Sequence, residues 1–273
     1  AKYFVDNGCN VGGFTASVTS CVPAAAGVSS SASFELLIAE IFNVLYNDGA
    51  VSKMKKAQAS QYAENVYFLK PCGLMDQSAI SLGGVSMIDF ENVENPFVLG
   101  VQYPFTDTDI VITNTGGNHA DLTSDYAAIR AEMEEVSEKF SEKYLRLVDY
   151  QKFLDAIPAL QNEVSGRAIM RAIHFFDENL RVDKAVSAIN MKNADAFYKI
   201  VGESGDSSFK LLQNCYVPAD TVQRIPLGIV LSQHVTGVKA VRVHGGGFAG
   251  TIIAFVEKAE THEYVSRMSE VFG

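Results

Sequence analysis

Three consecutive serines, Ser29, Ser30 and Ser31, stand between a loop of small residues and an apolar run, and this junction constrains the fold most. Apolar side chains recur at helical spacing in the run, which predicts a helix that begins at the serines. These side chains are Phe34, Leu37, Ile38, Ile41 and Phe42. A helix start has unpaired N–H groups and the positive end of the helix dipole, so it suits phosphate. A plain serine cap is the alternative interpretation.

The whole chain has the composition of a globular protein, with 273 residues of which 48% are hydrophobic and 20% are charged. It can hold one large domain or two ordinary ones. The formal charge of −10 argues against a nucleic-acid partner, because no basic patch is available to release counterions. No apolar segment approaches the length of a membrane span, and the four cysteines lack C-x-x-C spacing. We therefore expect reduced thiols, no membrane partner and a cytoplasmic location.

Two kinds of pattern divide the chain into a strand-rich first part and a helix-rich second part, with the boundary predicted after residue 106. The predicted strands are 13–19, 85–90, 98–105, 109–113, 239–243 and 251–256. The predicted helices are the one that begins at the serines and 51–69, 124–148, 147–157, 166–179, 182–189, 194–203 and 260–272. This arrangement indicates an α+β fold.

A second candidate site is the segment Pro71–Gln77, which contains Gly73 and Asp76. A carboxylate beside a glycine, in the break between a predicted helix and a predicted strand, can project into a cleft. There it can serve as a general base toward a substrate hydroxyl. An aspartate that only caps a helix or stabilises a turn is the alternative.

A third candidate is the glycine-rich segment His244–Gly250, which lies between the last two predicted strands. A dinucleotide-binding fingerprint requires a helix after its glycines, whereas a strand follows here, so that interpretation fails. Clustered glycines between strands allow the backbone to approach a ligand closely, or they make a tight hairpin. We expect His244 and His174 to be hydrogen-bonded structural histidines.

Taken together, these segments resemble the GHMP family of small-molecule kinases and, within it, the galactokinases. Residues 23–33 look like the phosphate-binding motif P-x-G-x-G-L-S-S-S-A, and residues 71–77 look like the galactokinase segment P-C-G-I-M-D-Q. Residues 112–115, followed by Asp125 and Tyr126, look like the galactokinase strand and sugar-contacting tyrosine. Residues 242–251 look like the third glycine motif. The resemblance extends over essentially the whole chain in the same order.

The resemblance implies a GHMP kinase-like fold, with an N-terminal ATP-binding domain over residues 1–106 and a C-terminal α+β domain over residues 107–273. The first domain would have the mixed sheet of a ribosomal protein S5 domain 2-like fold, incomplete in this chain. The implied reaction moves the γ-phosphoryl group of ATP, with Mg²⁺, to the C1 hydroxyl of galactose. Its products are galactose 1-phosphate and ADP.

The resemblance also implies a role for particular residues. Asp76 is the catalytic base, and Gly73, Asp76 and Tyr126 contact the sugar. The phosphate-binding positions are Ala25, Ala26, Gly27, Val28, Ser29, Ser30, Ser31, Gly245, Gly246 and Gly247. Ser31 and Glu64 are the Mg²⁺ ligands, since oxygen ligands suit this ion. The alternatives are a solvated position on a charged helix for Glu64 and a place in the core for Tyr126.

Two departures separate the chain from the family pattern. Ala25 stands where the family has glycine, which restricts positive φ and close phosphate approach, and Val28 replaces leucine. No segment resembles the first galactokinase motif, G-R-V-N-L-I-G-E-H-T-D-Y. We therefore expect a fragment with little kinase activity alone, and the absent segment is a candidate partner. The alternative functions are a non-catalytic regulatory protein that binds sugar and nucleotide, and a kinase for N-acetylgalactosamine.

Overall fold

Two compact units make up the computed structural model, which describes residues 1–22, 28–69, 72–116, 122–217 and 221–273. Unit 1 is Ala1–Val101 and unit 2 is Gln102–Gly273. The sequence puts the division after residue 106, in the segment that connects the last strand of unit 1 to the first strand of unit 2. Among the described residues, no helix combines the length and the apolarity that crossing a bilayer requires.

Helices dominate unit 1, and they pack around a small apolar core. They are α1 (Lys2–Asp6), α2 (Ser30–Tyr46), α3 (Lys53–Tyr62), which continues into a π-helical turn (Ala63–Tyr67), and α4 (Met75–Leu82). Ser52 caps α3, because its Oγ accepts a hydrogen bond from the Lys55 N–H at 3.2 Å. One cluster of buried apolar side chains in this unit consists of Phe4, Ala39, Phe42 and Val51.

The sheet of unit 1 is, in the described residues, an antiparallel pair formed by β1 (Val85–Asp89) and β2 (Phe97–Val101). The resemblance implies a mixed sheet in this unit, and the described residues form only this antiparallel pair of it. The strand predicted over 13–19 is wrong, because those residues form no regular structure. Phe14 and Val18 remain 37% and 46% exposed. A strand needs a neighbour that takes up its N–H and C=O groups, and side-chain pattern alone does not supply one.

Unit 2 combines a three-stranded antiparallel sheet with helices. Its strands are β3 (Thr108–Gly116), β4 (Val238–Val243) and β5 (Gly250–Glu257), in the order β3-β5-β4. Its helices are α5 (Thr123–Glu138), α6 (Tyr150–Leu160), α7 (Gly166–Asn190), α8 (Ala194–Ser207), which continues into a π-helical turn (Ser208–Leu212), α9 (Arg224–Gln233) and α10 (Thr261–Phe272). The central strand β5 is apolar and buried at Ile252, Ala254 and Val256. The predicted α+β class is confirmed.

Several helices of unit 2 have other ends than the sequence predicts, and α7 and α5 show why. The segments 166–179 and 182–189 form the single helix α7, because Leu180 and Arg181 between them are good helix formers. The helix predicted over 124–148 ends at Glu138, and the chain then turns at Ser141, whose φ is +59°. A residue in the left-handed region cannot continue a right-handed helix.

A polar network joins α7, α8 and β4 of unit 2. Arg242 of β4 donates to Ser204 Oγ at 2.6 Å, and Ser204 donates to Glu178 Oε2 at 2.6 Å. Beside this chain of hydrogen bonds, His174 Nδ1 lies 2.9 Å from Ser207 Oγ. Burial lowers the pKa of His174 to about 4, and the charge of Glu178 opposes that shift. His174 is therefore a hydrogen-bonded structural histidine, as predicted.

We expect His174→Gln to reduce the acid sensitivity of the fold. The unfolded chain binds a proton at this side chain near pH 6.5, whereas the folded chain does so only near pH 4. Stability is therefore lost as the pH falls through this window, by about 2 kcal/mol between pH 7 and pH 5. Urea unfolding of both proteins at the two pH values measures the difference, and an equal loss in the variant would refute the assignment.

Two glycines of α8, Gly202 and Gly205, allow the effect of close packing on stability to be compared with the effect of helix propensity. A Cβ on Gly205 would lie 2.8 Å from the Val241 carbonyl oxygen and 3.0 Å from Arg242 Cβ, whereas one on Gly202 would meet no atom within 4 Å. Gly205→Ala should therefore lower the free energy of unfolding by about 2–3 kcal/mol, because it pushes α8 away from β4. Gly202→Ala should raise it by about 1 kcal/mol. Denaturant unfolding measures both, and a shift of the same sign in both variants would count against this packing.

Candidate functional site

Two of the predicted site residues, Ser29 and Asp76, are in contact within unit 1. Asp76 lies in the first turn of α4, and Ser29 directly precedes α2. The Ser29 hydroxyl donates to Asp76 Oδ2 at 2.6 Å. Ser29 has a left-handed backbone, with φ 56° and ψ 41°, and its side chain makes no hydrogen bond to α2. The interpretation of Ser29 as a plain helix cap therefore does not hold, because its hydroxyl is hydrogen-bonded to the Asp76 carboxylate.

The segment before Asp76 is tied to the π-helical turn of unit 1. Asn65 accepts a hydrogen bond from the Cys72 N–H at 2.6 Å and donates one to the Cys72 carbonyl at 3.2 Å. Gln61 donates to the same carbonyl at 3.3 Å. Gly73, which follows, is exposed, and a Cβ there would meet no atom within 4 Å. The segment that leads into α4 is thus fixed by the side-chain amides of Gln61 and Asn65. Gly73, three residues before Asp76, has open space at its Cβ position.

The phosphate-loop prediction is described only at its end. Ala25, Ala26 and Gly27 lie outside the described residues. Val28 and Ser29 come directly before α2. Ser30 and Ser31 are the first residues of α2, so the helix starts where the serines predict it. The N–H groups of this first turn have no partner within the helix.

Glu64 lies in the π-helical turn and is 4% exposed, so the solvated position that its sequence context allows is wrong. A buried carboxylate requires hydrogen bonds or a cation. Its oxygens and the exposed hydroxyl of Ser31 are the kind of donor that Mg²⁺ takes, usually together with water and phosphate oxygens. In the described ranges, no three His, Cys, Asp or Glu side chains cluster into a protein-only metal cage. The oxygen donors of Ser31 and Glu64 are thus of a chemical type that fits Mg²⁺.

In unit 2, the glycine-rich turn after β4 is packed against Tyr126 of α5. The Tyr126 hydroxyl donates to the Gly247 carbonyl at 2.6 Å, and its ring meets the Phe248 ring edge-on at 5.2 Å. Burial raises the pKa of Tyr126 to about 12, with a further contribution from the charge of Asp125. Tyr126 is half-buried and packs against the turn, so it is not a residue of the deep core.

The turn itself connects two antiparallel strands, β4 and β5, so the hairpin topology and the rejection of a dinucleotide fingerprint are both confirmed. Gly245 and Gly246 are exposed, and Gly247 is buried. His244 Nδ1 lies 3.1 Å from Thr251 Oγ1, which makes His244 the structural histidine that was predicted.

Asn214 is the residue of this region that sequence reasoning missed. It is 2% exposed, its side-chain amide donates to the Gly246 carbonyl at 3.1 Å, and its own carbonyl accepts from the Phe248 N–H at 2.5 Å. Asn214 lies 32 residues from Gly246 in the chain. No local pattern around Asn214 signals this contact.

Comparison with known proteins agrees with the motifs. Residues 1–84 match the family model described as the GHMP kinases N terminal domain. The galactokinase of Clostridium tetani is 30% identical over 286 residues, which cover 100% of this chain and 68% of that protein. Human galactokinase is 30% identical over 267 residues, which cover 96% of this chain and 64% of the human protein. The chain therefore spans about two thirds of the length of these relatives.

Solved structures give the same relationship. The structure of Lactococcus lactis galactokinase complexed with galactose superposes with a TM-score of 0.75 at 28% identity, over 92% of this chain and 63% of that one. The mevalonate kinase of L. major, at 12% identity and a TM-score of 0.58, shares the fold alone. On this identity, extent and order of motifs, the chain belongs to the galactokinase family of GHMP kinases.

Proposed function

We propose that this chain carries residues of a sugar kinase that transfers the γ-phosphoryl group of ATP to the C1 hydroxyl of galactose. The single observation that carries the proposal is the Ser29–Asp76 hydrogen bond, at 2.6 Å. It ties the carboxylate proposed as base to the residue directly before α2, near the end of the phosphate-binding motif. Membership of the galactokinase family supports the same reaction.

Asp76 is the proposed general base. One of its oxygens accepts the Ser29 hydroxyl, and the other accepts no hydrogen bond from the described residues. That second oxygen is available for the proton of a substrate hydroxyl. Catalysis then rests on positioning and on charge stabilisation.

ATP and Mg²⁺ are the proposed cofactors. The N–H groups in the first turn of α2 and the hydroxyls of Ser30 and Ser31 can hold phosphate oxygens. Ser31 and Glu64 are the proposed Mg²⁺ ligands, and the ion supplies neutralisation of the phosphate charge. The predicted contribution of Ala25, Ala26 and Gly27 stays a prediction.

In unit 2, Tyr126 and the glycine turn are the proposed ligand contacts. Tyr126 is predicted to contact the sugar, as Gly73 is in unit 1, and Gly245–Gly247 are predicted to contact phosphate. The N–H groups of Gly245 and Gly246 donate to no acceptor within the described ranges, so they can receive an anion. We also propose a cytoplasmic location and no nucleic-acid partner, in line with the formal charge of −10.

Galactose-dependent formation of ADP from Mg·ATP tests the proposal. The assay is run on the 273-residue chain and on the longest polypeptide that its reading frame encodes, with N-acetylgalactosamine and glucose as comparison sugars. We expect turnover with galactose in at least one of the two polypeptides. Calorimetric binding of galactose and nucleotide without ADP formation in either polypeptide would overturn the kinase in favour of a non-catalytic binding protein.

A further inference from the structure

The backbone of the glycine turn in unit 2 is held by Tyr126 and Asn214, two residues distant from it in the sequence. The Tyr126 hydroxyl donates a hydrogen bond to the Gly247 carbonyl, and the Asn214 side-chain amide donates one to the Gly246 carbonyl. The backbone carbonyl of Asn214 accepts a hydrogen bond from the Phe248 N–H. Three successive residues of the turn are therefore fixed by hydrogen bonds to groups outside it, two of them from Asn214.

This fixing matters because the turn has an unfavourable backbone. Phe248 adopts φ +58°, in the left-handed region that side chains rarely occupy, and Gly247 adopts φ +80°. For Phe248 such a conformation is strained, and it persists only when the surroundings hold it. The buried Asn214 supplies that constraint, and its carbonyl lies so close to Gly247 that a Cβ there would overlap it.

The same hydrogen bonds decide which polar groups the turn offers to a ligand. The carbonyls of Gly246 and Gly247 are engaged by protein donors, while the N–H groups of Gly245 and Gly246 meet no acceptor among the residues described. Both of these glycines are exposed. A turn with occupied carbonyls and free N–H groups attracts phosphate oxygens, and it needs no reorganisation when they arrive.

We propose that Asn214 is a positioning residue for the phosphotransfer reaction. It touches no substrate, and it locks residues 245–248 in the conformation whose N–H groups receive phosphate oxygens. The inference rests on the proposed function, because that function supplies the phosphate. It adds a residue that belongs to none of the motifs by which the chain resembles its family.

The test compares Asn214→Asp with Ser232→Ala. The aspartate has the same shape but cannot donate to the Gly246 carbonyl. Ser232 is equally buried and bonds to Tyr264 and Gly228 on α10 and α9, so its loss destabilises unit 2 without touching the turn. We expect Asn214→Asp to speed hydrogen exchange of the Phe248 amide about tenfold, and to lower kcat/KM for Mg·ATP about tenfold. Ser232→Ala should change neither by more than about twofold at a similar loss of stability.

Equal exchange of the Phe248 amide in Asn214→Asp and in the unchanged protein would overturn the proposal, as would an equal loss of kcat/KM in the two variants. If Asn214→Asp does not fold, Asn214→Ala, which also removes the side-chain donor, replaces it in the same comparison. If the unchanged protein neither turns over nor binds ADP, the proposed function fails and the phosphate role of Asn214 fails with it. The exchange result then decides separately whether Asn214 holds the turn.

Discussion

Asp76→Asn is expected to lower kcat for galactose phosphorylation by about 10²–10⁴-fold, the usual contribution of a positioned general base. An asparagine keeps the shape of the side chain, and its carbonyl oxygen can still accept the Ser29 hydroxyl. It cannot take a proton from the sugar. The free energy of unfolding should change by only about 1 kcal/mol, through the lost charge at the start of α4. Steady-state ADP formation, in whichever polypeptide is active, measures the change in kcat.

Ser29→Ala is the matched comparison, because it removes the other partner of the same hydrogen bond. It leaves the base in place with a less fixed orientation, so we expect a loss in kcat of about tenfold or less. An Asp76→Asn variant with undiminished kcat would exclude Asp76 as the base. Equal losses in the two variants would mean that the pair acts through orientation of the loop and not through proton transfer.

The parts of the fold that the sequence predicts well are those whose pattern is strong and local. The strands β4 and β5 are predicted within a residue or two, since each is a short β-branched run beside a glycine turn. The helix that begins at Ser30 is predicted from the spacing of its apolar residues. The strand over 13–19 is wrong because its pattern is local while the partner strand that it needs is not.

The site divides in the same way. Motif order identifies Asp76, Tyr126 and the glycine turn as candidates, but it does not identify what holds them. Ser29 and Asp76 are 47 residues apart, and Asn214 and Gly246 are 32 apart. Such contacts depend on the path of the chain in space, and neither spacing nor propensity encodes that path. Glu64 is a similar case, because its burial in the π-helical turn depends on packing that its charged sequence context does not signal.

Gly247→Ala is expected to lower the free energy of unfolding by about 3 kcal/mol or more, since a Cβ would overlap the Asn214 carbonyl and no flexible side chain can yield. Gly245→Ala, two residues earlier, is the control variant, because it introduces backbone strain without steric overlap. Gly245 has φ +66° and open space around its Cβ position, so its alanine costs only about 1–2 kcal/mol. Urea unfolding of both variants measures the difference. Equal losses would mean that left-handed backbone alone accounts for the glycines, whereas a larger loss at Gly247 would show that the turn and Asn214 are packed as one rigid unit.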